Sequence, residues 1–304
     1  EGPVRYTPSD FRTVRGEDDL RELPAVQGAD AYGWFPLSDL QQAYLVGRLG
    51  DYEIGNVANH VYTEHVYRDL DIDRLESAIN RLIAECDVLR TVFSLDQMRQ
   101  RVLAPEEVPH YSVRVHRFAA DEEELLDEVR ERLSHEVHDA EQFPLFAFEV
   151  SVLADRCVLH TSFDLLTVDV RSRLALLKRL DDLYRGQTQR RALPQATFKD
   201  YQQYVELLRH SCWYERDREY WQRKTADMPP RCSLPFRTSP DMLLHPRFAE
   251  HTEHVDAEVW KRFKDQVVQR GLSPSAVLLS LYGSILAYFS GSTEFPITVT
   301  VARR

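Results

Sequence analysis

The sequence VLHTSFDLLTVDVRS, residues 158–172, changes from the period of a strand to the period of a helix. In its first half the polar side chains of His160, Ser162 and Asp164 share one face, because alternate residues of a strand point to the same side. From Val170 onward the leucines recur at helical spacing. The stripe predicted to face the core consists of Leu174, Leu177, Leu180 and Leu183. The pattern therefore predicts a strand, a turn and a helix in one short segment.

Two carboxylates flank this turn, Asp164 at the end of the strand and Asp169 at the position of a helix N-cap. A carboxylate at an N-cap accepts hydrogen bonds from the free amides of the first turn and is stabilised by the helix dipole. The ordinary interpretation is therefore a cap at Asp169 and a solvated charge at Asp164. The alternative is a functional site, since such turns often carry functional side chains in α/β proteins. These residues alone leave both interpretations open.

Composition and charge indicate a globular protein without a polyanionic partner. The 304 residues are 43% hydrophobic and carry a net charge of −11, so neither a nucleic acid nor an anionic membrane surface is expected as the main partner. The four cysteines are scattered, without Cys-x-x-Cys pairs or metal-ligand spacing, which predicts reduced thiols and no metal site. No apolar run approaches a membrane span and no signal peptide opens the sequence. We therefore expect a cytoplasmic protein.

A second informative stretch is FPLSDLQQAYLVGR, residues 35–48. Ser38 and Gln41 stand three residues apart at the start of a helical pattern, which predicts a capping box. In that motif each side chain accepts a hydrogen bond from the backbone amide of the other residue. The face predicted to point inward consists of Leu37, Leu40 and Tyr44, with Gly47 beside them.

The rest of the sequence alternates predicted strands and helices, which indicates an α/β fold. The predicted strands are residues 59–67, 89–93, 111–117, 146–153, 157–165, 252–255 and 295–301. The predicted helices are residues 73–89, 120–138, 198–208, 212–226, 256–270 and 273–289. The predicted domains are an interdomain linker at 1–33, a first lobe at 34–190, connecting helices with a proline-rich crossing segment at 191–245, and the start of a second lobe at 246–304.

Two of these stretches resemble signatures of the heterocyclization domains of nonribosomal peptide synthetases. Residues 35–48 are similar to the motif F-P-L-[T/S]-x-x-Q-x-A-Y-x-x-G-R at every fixed position. Asp164, Asp169 and Ser172 match the motif D-x-x-x-x-D-x-x-S. In the related condensation domains the same turn carries H-H-x-x-x-D-G, whose second His is the proposed base. Aligned on Asp169, that His falls on Leu165, so this chain lacks the condensation-type base.

The resemblance has departures as well as matches. Glu85-Cys86 stands where Arg-His is usual, residues 96–100 replace a tight D-G-x-Q turn, and Phe289 occupies the place of a Trp. Losing the Gly predicts a looser hairpin. The resemblance implies a chloramphenicol-acetyltransferase-like, V-shaped fold of two lobes. It stops partway through the second lobe, so we expect that lobe to be incomplete in this sequence.

The resemblance also implies a reaction. A carrier-bound acyl or peptidyl thioester is joined to a carrier-bound Cys, Ser or Thr, and cyclodehydration leaves a thiazoline or oxazoline. The implied partners are the upstream and downstream peptidyl carrier proteins and an adjacent adenylation domain. No cofactor is implied as bound directly, since the substrates are carried on phosphopantetheine. The Thr and Asp that the family proposes for cyclodehydration lie in later motifs, which this sequence does not contain.

Site residues follow from the same resemblance. The residues of the turn motif, Asp164, Asp169 and Ser172, are the catalytic candidates. Asp169 is expected to be structural and to pair with an arginine such as Arg48, Arg303 or Arg304. Asp164 is expected to line a substrate tunnel. The other predicted tunnel residues are His160, Ser162, Gln41, Tyr44 and Arg48.

An alternative of another class is a cyclization-like domain that has lost its chemistry and serves as a docking or structural module in a synthetase. The missing later motifs, the altered residues 96–100 and Phe289 favour it. A free-standing acyltransferase fits less well, because the base histidine is absent.

Overall fold

A computed structural model describes residues 31–48, 60–119, 124–187, 197–210, 212–239, 242–243 and 251–299. These residues form two compact units, divided between residues 207 and 208. Most of the predicted linker, residues 1–33, therefore lies outside the described residues. The predicted boundary between the first lobe and the connecting helices, at residues 190–191, also falls outside them and stays a prediction.

The first unit alternates strands and helices along the chain, and its last helix, α5, ends at Arg209, just past the division. Its strands are β1 (Phe35–Pro36), β2 (His60–Tyr67), β3 (Thr91–Ser94), β4 (Arg99–Val102), β5 (Arg114–Arg117), β6 (Phe146–Val152) and β7 (Cys157–Asp164). Its helices are α1 (Asp39–Arg48), α2 (Ile72–Glu85), α3 (Glu124–His135), α4 (Val170–Tyr184) and α5 (Phe198–Arg209). The predicted change from strand to helix between residues 158 and 172 is confirmed.

Strand β7 lies inside the four-stranded sheet β2-β7-β6-β5. It pairs antiparallel with β2 and β6, and β5 joins β6 in parallel. Direct pairing places His60 opposite Asp164 and Tyr62 opposite Ser162, so these four side chains share one face. Every residue of β7 is buried. The strand that delivers the candidate site therefore has a partner on each edge and cover on each face.

Helices α2 and α4 cover one face of this sheet. Their apolar side chains form one core cluster with the phenylalanines of β6 and β7. Phe148 is fully buried, and its ring centroid lies 5.6 Å from that of Phe146 and 5.4 Å from that of Phe163. Burying a side chain of this size contributes about 1.5–3 kcal/mol. This face therefore anchors β7 by apolar packing.

Helix α3 covers the opposite face, which carries polar side chains. The apolar contacts are made by Val129, Leu133 and Ala147. Two arginines of α3 reach carboxylates of the sheet: Arg130 Nε lies 2.7 Å from Glu64 Oε1, and Arg132 Nη2 lies 2.5 Å from Glu149 Oε2. Carboxylates shielded from water need such partners. Charge pairing therefore accompanies apolar packing on this side.

The smaller sheet, β1-β4-β3, is antiparallel. Pairing between β3 and β4 continues to Ser94 opposite Arg99. Met98 has a φ of 50°, the left-handed conformation that Gly adopts at lower cost. Its side chain packs against the core cluster that contains Phe93. The predicted loosening of this hairpin is therefore wrong, since pairing and packing hold Met98 in the conformation usual for Gly.

Two leucines that were predicted to point inward are exposed. Leu40 is 59% exposed and Leu174 is 56% exposed. Helix α1 instead buries Gln41 and Leu45. The leucines that α4 buries are Leu176, Leu180 and Leu183. Helical spacing defines which residues share a stripe, but the arc that faces the sheet depends on how the helix docks. The polar Gln41 can face inward because its amide finds hydrogen-bond partners.

The second unit contains, within the described ranges, the helices α6 (Cys212–Ala226), α7 (Ala257–Gln269) and α8 (Pro274–Ser290). As predicted, Ser273 caps α8, since its Oγ accepts a hydrogen bond of 3.1 Å from the amide of Ala276. The strands predicted at 252–255 and 295–301 are wrong as far as they are described, because residues 251–256 and 294–299 are irregular.

Among the described residues, no single helix is long and apolar enough to cross a membrane. Helices α7 and α8 taken together have that length and apolar composition, but they form a pair bent by 100°.

Substituting Phe148→Ala should remove a fully buried ring from the core between the sheet and helices α2 and α4. We expect the free energy of unfolding, measured by urea denaturation, to fall by about 3–5 kcal/mol, the usual cost of such a cavity. The control is Leu174→Ala, whose exposed side chain should change it by less than about 0.5 kcal/mol. A loss above about 2 kcal/mol at Leu174 would contradict the buried stripe described here.

Candidate active site at the strand-to-helix turn

Asp164 is the most buried member of the turn motif. It is fully buried at the end of β7, and its side chain forms an ion pair with Arg48. Its other carboxylate oxygen, Oδ1, accepts a hydrogen bond of 2.9 Å from the amide of Leu166. Both oxygens are therefore bonded within the protein, which offsets the cost of taking the charge out of water. In this conformation Asp164 is a structural anion at the base of the turn.

The backbone of Asp164 also shapes the turn. Its carbonyl oxygen accepts hydrogen bonds of 3.1 Å from the amides of Thr167 and Val168 and from the Thr167 hydroxyl. Leu166 and Val168 point into apolar clusters. Leu165, at the position of the condensation-type base, is half-buried. Residues 164–168 are thus held by hydrogen bonds to one aspartate and by two buried side chains.

Arg48 links three parts of the first unit. It ends α1, its Nη2 pairs with Asp164 of β7, and its Nη1 donates a hydrogen bond of 3.3 Å to the carbonyl oxygen of His138, which follows α3. The expectation that Arg48 pairs with Asp169 is corrected by this contact. The physical reason is burial: a fully buried carboxylate requires a cation, whereas Asp169 is exposed. The other expected partners, Arg303 and Arg304, lie outside the described residues.

Asp169 caps helix α4, as one interpretation of the sequence predicted. Its backbone is extended (φ −80°, ψ 169°), and its Oδ1 accepts a hydrogen bond of 2.6 Å from the amide of Ser172. This is the geometry of an N-cap, which stabilises a helix by about 1 kcal/mol. The catalytic candidates Asp169 and Ser172 are thus brought together by a cap, whereas Asp164 is bonded elsewhere.

Gln41 connects the turn to helix α1. The capping box is present, with hydrogen bonds of 2.9 Å from the Ser38 amide to Gln41 Oε1 and of 3.2 Å from the Gln41 amide to Ser38 Oγ. The Gln41 Nε2 group donates to Leu166 O at 2.8 Å and to Gln100 Oε1 at 2.9 Å, and Gln100 Nε2 donates back to Gln41 Oε1. Gln41 was predicted to line a tunnel, but its amide group is occupied by these contacts.

Gln100 is a site residue that the sequence analysis missed. It is fully buried in β4 and also donates a hydrogen bond of 3.0 Å to Pro36 O. Its position as the final Gln of the altered D-G-x-Q segment was the signal that could have identified it. Tyr44, predicted as a tunnel residue, is partly buried against the apolar cluster that contains Leu45 and Leu166.

His160 belongs to a buried hydrogen-bond network on the α3 face of the sheet. Its Nδ1 lies 2.6 Å from Tyr62 Oη and its Nε2 lies 2.8 Å from Ser151 Oγ. Tyr62 donates its proton to Glu64 Oε1 at 2.8 Å, so His160 Nδ1 donates to Tyr62 and Nε2 accepts from Ser151. Neither ring nitrogen is open to a substrate in this conformation, which corrects the prediction that His160 lines a tunnel.

Electrostatics in this network follow from burial and pairing. Burial lowers the pKa of His160 to about 4, against the opposing effects of Glu64 and Glu149. The hydrogen bonds from Arg130 lower the pKa of Glu64, and burial together with Glu64 raises the pKa of Tyr62. At neutral pH the network therefore contains a carboxylate, a neutral phenol and a neutral imidazole.

Ser162 and His138, unlike the residues of this network, each have a buried side-chain atom without a hydrogen-bond partner among the described residues. Ser162 is fully buried on the same face as Asp164, and its Oγ has no hydrogen-bond partner among the described residues. His138 Nε2 is likewise buried without a partner there. The sequence analysis predicted Ser162 but missed His138, which no motif marks. Across the described ranges, no three His, Cys, Asp or Glu side chains converge as a metal-binding group.

The neutral state of His160 predicts a pH dependence of stability. The unfolded chain takes up a proton near pH ~6.5 and the folded chain near pH 4. In this interval the unfolded state binds more protons, so the stabilisation is complete above about pH 6.5 and is lost as the pH falls toward about 4. The loss attributable to His160 should approach about 1.4 kcal/mol per pH unit, measured by urea denaturation.

The variant His160→Gln should lack this contribution, so its free energy of unfolding should fall less steeply over the same interval. The matched control is His135→Gln, since His135 is exposed at the end of α3, and this variant should keep the wild-type slope. Equal slopes for the wild type and His160→Gln would show that the imidazole is not held neutral by the fold.

Comparison with known proteins gives the family context. A profile of the family described as Condensation domain matches residues 33–304. The chain is 33% identical over 287 residues to the pyochelin synthetase PchF of Pseudomonas aeruginosa, which covers 90% of this chain and 15% of that protein. It is 27% identical over 280 residues to the phenyloxazoline synthase MbtB of Mycobacterium tuberculosis, covering 89% and 19%. The chain therefore spans a small part of the length of these relatives.

Solved structures of nonribosomal peptide synthetases are also similar to this chain. The cyclization-docking bidomain of the EpoB nonribosomal peptide synthetase from Sorangium cellulosum superposes with a TM-score of 0.79 at 27% identity, covering 91% of this chain and 56% of that one. The nonribosomal peptide synthetase FmoA3 gives 0.75 at 28% identity, covering 93% and 28%. These likenesses confirm the predicted chloramphenicol-acetyltransferase-like α/β fold. Since the family profile covers nearly the whole sequence, this chain belongs to the condensation-domain family of nonribosomal peptide synthetases.

Proposed function

We propose that this chain is the heterocyclization type of condensation domain. The observation that supports this most is the turn itself: an aspartate, Asp164, replaces the first histidine of the condensation motif and is buried against Arg48, while Leu165 replaces the second. A domain with this turn cannot use the imidazole base of the condensation type. The named activities of similar proteins, a phenyloxazoline synthase and a cyclization bidomain, point the same way.

The proposed reaction has three steps. The amine of a carrier-bound Cys, Ser or Thr attacks the upstream thioester, an amide forms, and the upstream phosphopantetheine thiol leaves. The side-chain thiol or hydroxyl then adds to the new amide carbonyl. Loss of one water molecule gives the thiazoline or oxazoline. Proximity of the two tethered substrates supplies much of the acceleration in the first step, and the later steps need proton transfer.

The role proposed for Asp164 is to position the turn. Both of its oxygens are bonded, to Arg48 and to the Leu166 amide, which supports a structural role for this carboxylate. Asp169 is proposed to act as a helix cap, because its Oδ1 bonds to the Ser172 amide. The proposed partners are the upstream and downstream peptidyl carrier proteins and an adjacent adenylation domain. Their phosphopantetheine arms carry the substrates, and no cofactor is proposed to bind directly.

The second candidate function is a docking or structural module without chemistry. It is favoured by the complete bonding of Asp164, His160 and Gln41 inside the protein, which leaves few of the predicted site residues open to substrate. The sequence departures at Glu85-Cys86 and Phe289 add to it. A measurement of amide and heterocycle formation distinguishes the heterocyclization domain from the docking module.

The decisive assay uses the full-length protein that carries this sequence, with an acylated upstream carrier and a cysteinyl or seryl downstream carrier. We expect the carrier-bound product, followed by mass spectrometry, to form as an amide and then to lose one water molecule. An amide that never loses water would indicate condensation alone. The absence of any amide, with both carriers fully loaded, would support the docking module.

Asp169→Asn gives a second readout in the same assay. Asn caps helices as well as Asp does, so a structural Asp169 predicts an unchanged melting temperature and amide formation within about twofold of the wild type. An unchanged melting temperature with abolished amide formation would assign Asp169 to the chemistry instead.

A further inference from the structure

Arg173 is a half-buried cation without an anionic partner among the described residues. It lies in the first turn of α4, directly after the motif residue Ser172. Every other buried or half-buried arginine described in the first unit forms an ion pair with an aspartate or a glutamate. Charges that are shielded from water need such a partner. The guanidinium of Arg173 therefore lacks the counter-charge that its burial calls for.

Strand β2 holds this guanidinium in one orientation. Arg173 Nη1 donates a hydrogen bond of 3.1 Å to Thr63 Oγ1. Thr63 Oγ1 also lies 2.8 Å from Thr161 Oγ1, and the Thr161 hydroxyl donates to Thr63 O at 3.3 Å. Because the Thr161 proton is used there, the Thr63 hydroxyl donates to Thr161 and accepts from Arg173. The cation is thus fixed to two paired strands of the four-stranded sheet.

Two nitrogens of the same guanidinium make no hydrogen bond with the described residues. Nε is buried, whereas Nη2 is not among the buried atoms. Strand β2 stands at the edge of its sheet, and Val66 and Tyr67 at its end are exposed. Nη2 is therefore the atom of Arg173 that a ligand can reach. The buried Nε raises the cost of leaving the charge unpaired.

The neighbouring side chains do not neutralise Arg173. His65 Nε2 lies 3.5 Å from Thr63 Oγ1. Burial lowers the pKa of His65, and the charge of Arg173 lowers it further, so this imidazole is neutral at neutral pH. Asp169, the nearest carboxylate along the chain, uses its Oδ1 to cap α4. Arg171 adds a second positive charge on the same turn of the helix and is exposed.

We propose that Arg173 binds the phosphate of a phosphopantetheine arm. The inference rests on the proposed function, which brings such arms to this domain, and it assigns the charged group of the arm itself to one residue. A phosphodiester carries one negative charge, which matches one guanidinium. Arginine suits this ligand because its planar donors form charge-assisted hydrogen bonds with phosphate oxygens. An arm held at Arg173 is anchored beside the turn that carries Asp164 and Asp169.

The test compares 4′-phosphopantetheine with pantetheine, which differ in the phosphate alone. The full-length protein that carries this sequence is prepared in its apo form, so that its own carriers bear no arm. Dissociation constants are measured by isothermal titration calorimetry. We expect 4′-phosphopantetheine to bind about tenfold more tightly than pantetheine, as one charge-assisted hydrogen bond would provide. Arg173→Gln should lose this preference.

Arg171→Gln is the matched control, because it removes the same charge from an exposed position on the same turn. It should keep the preference within about twofold, since an exposed charge contributes little. Thr63→Val is a second variant of similar shape that releases Nη1. It should lower the preference by about threefold, the effect of one neutral hydrogen bond. Where Arg173→Gln does not fold, an unchanged preference in Thr63→Val overturns the proposal.

Three further results would overturn it. They are equal affinities of the wild type for the two ligands, equal losses in Arg173→Gln and Arg171→Gln, and inorganic phosphate that binds as tightly as 4′-phosphopantetheine. The last result would assign the site to a free anion instead of the arm.

The phosphate site and the heterocyclization function fail in different ways, because the binding measurement needs no reaction. If no heterocycle forms but the preference still depends on Arg173, the heterocyclization function fails and the phosphate site stands. If heterocycles form and the preference is absent, the function stands and the phosphate site is rejected.

Discussion

The buried ion pair between Arg48 and Asp164 is the interaction on which the rest of the site depends. Asp164 is fully buried and the Arg48 side chain is 11% exposed. Moving each charge out of water costs several kcal/mol, which is recovered only while the pair stays intact and its remaining polar atoms are bonded. The pair joins residues that are 116 positions apart. It therefore requires α1, β7 and the segment after α3 to remain docked together.

The geometry of the turn follows from this pair. Because Asp164 also bonds the amides of residues 166–168, fixing its carboxylate fixes the path that leads to the Asp169 cap. Gln41 adds a second link from α1, through its hydrogen bond to Leu166 O. The residues of the two motif stretches, 35–48 and 164–172, thus bond mainly to one another. The proposed chemistry depends on the rigid turn that these bonds hold. The two aspartates have different structural roles, one as a buried anion and the other as a solvent-facing cap.

The sequence predicted what depends on local periodicity and on short-range hydrogen bonds. The strand and helix on either side of the turn, the Ser38–Gln41 capping box and the Asp169 cap are all found. Long-range contacts could not be predicted, because spacing does not reveal which carboxylate Arg48 meets. The same limit applies to Leu40 and Leu174, whose exposure depends on docking. His138 escaped notice because only the tertiary fold brings its carbonyl oxygen to Arg48.

The most direct test of this account is a double-mutant cycle on the ion pair. The free energy of unfolding is measured for Arg48→Met, Asp164→Asn and the double variant. Each single variant should lose about 3–5 kcal/mol, because it leaves one buried charge without its partner. The double variant should lose much less than the sum, with a coupling energy of at least about 1.5 kcal/mol. Additive losses, or single losses below about 1 kcal/mol, would contradict the claim that this pair holds the turn.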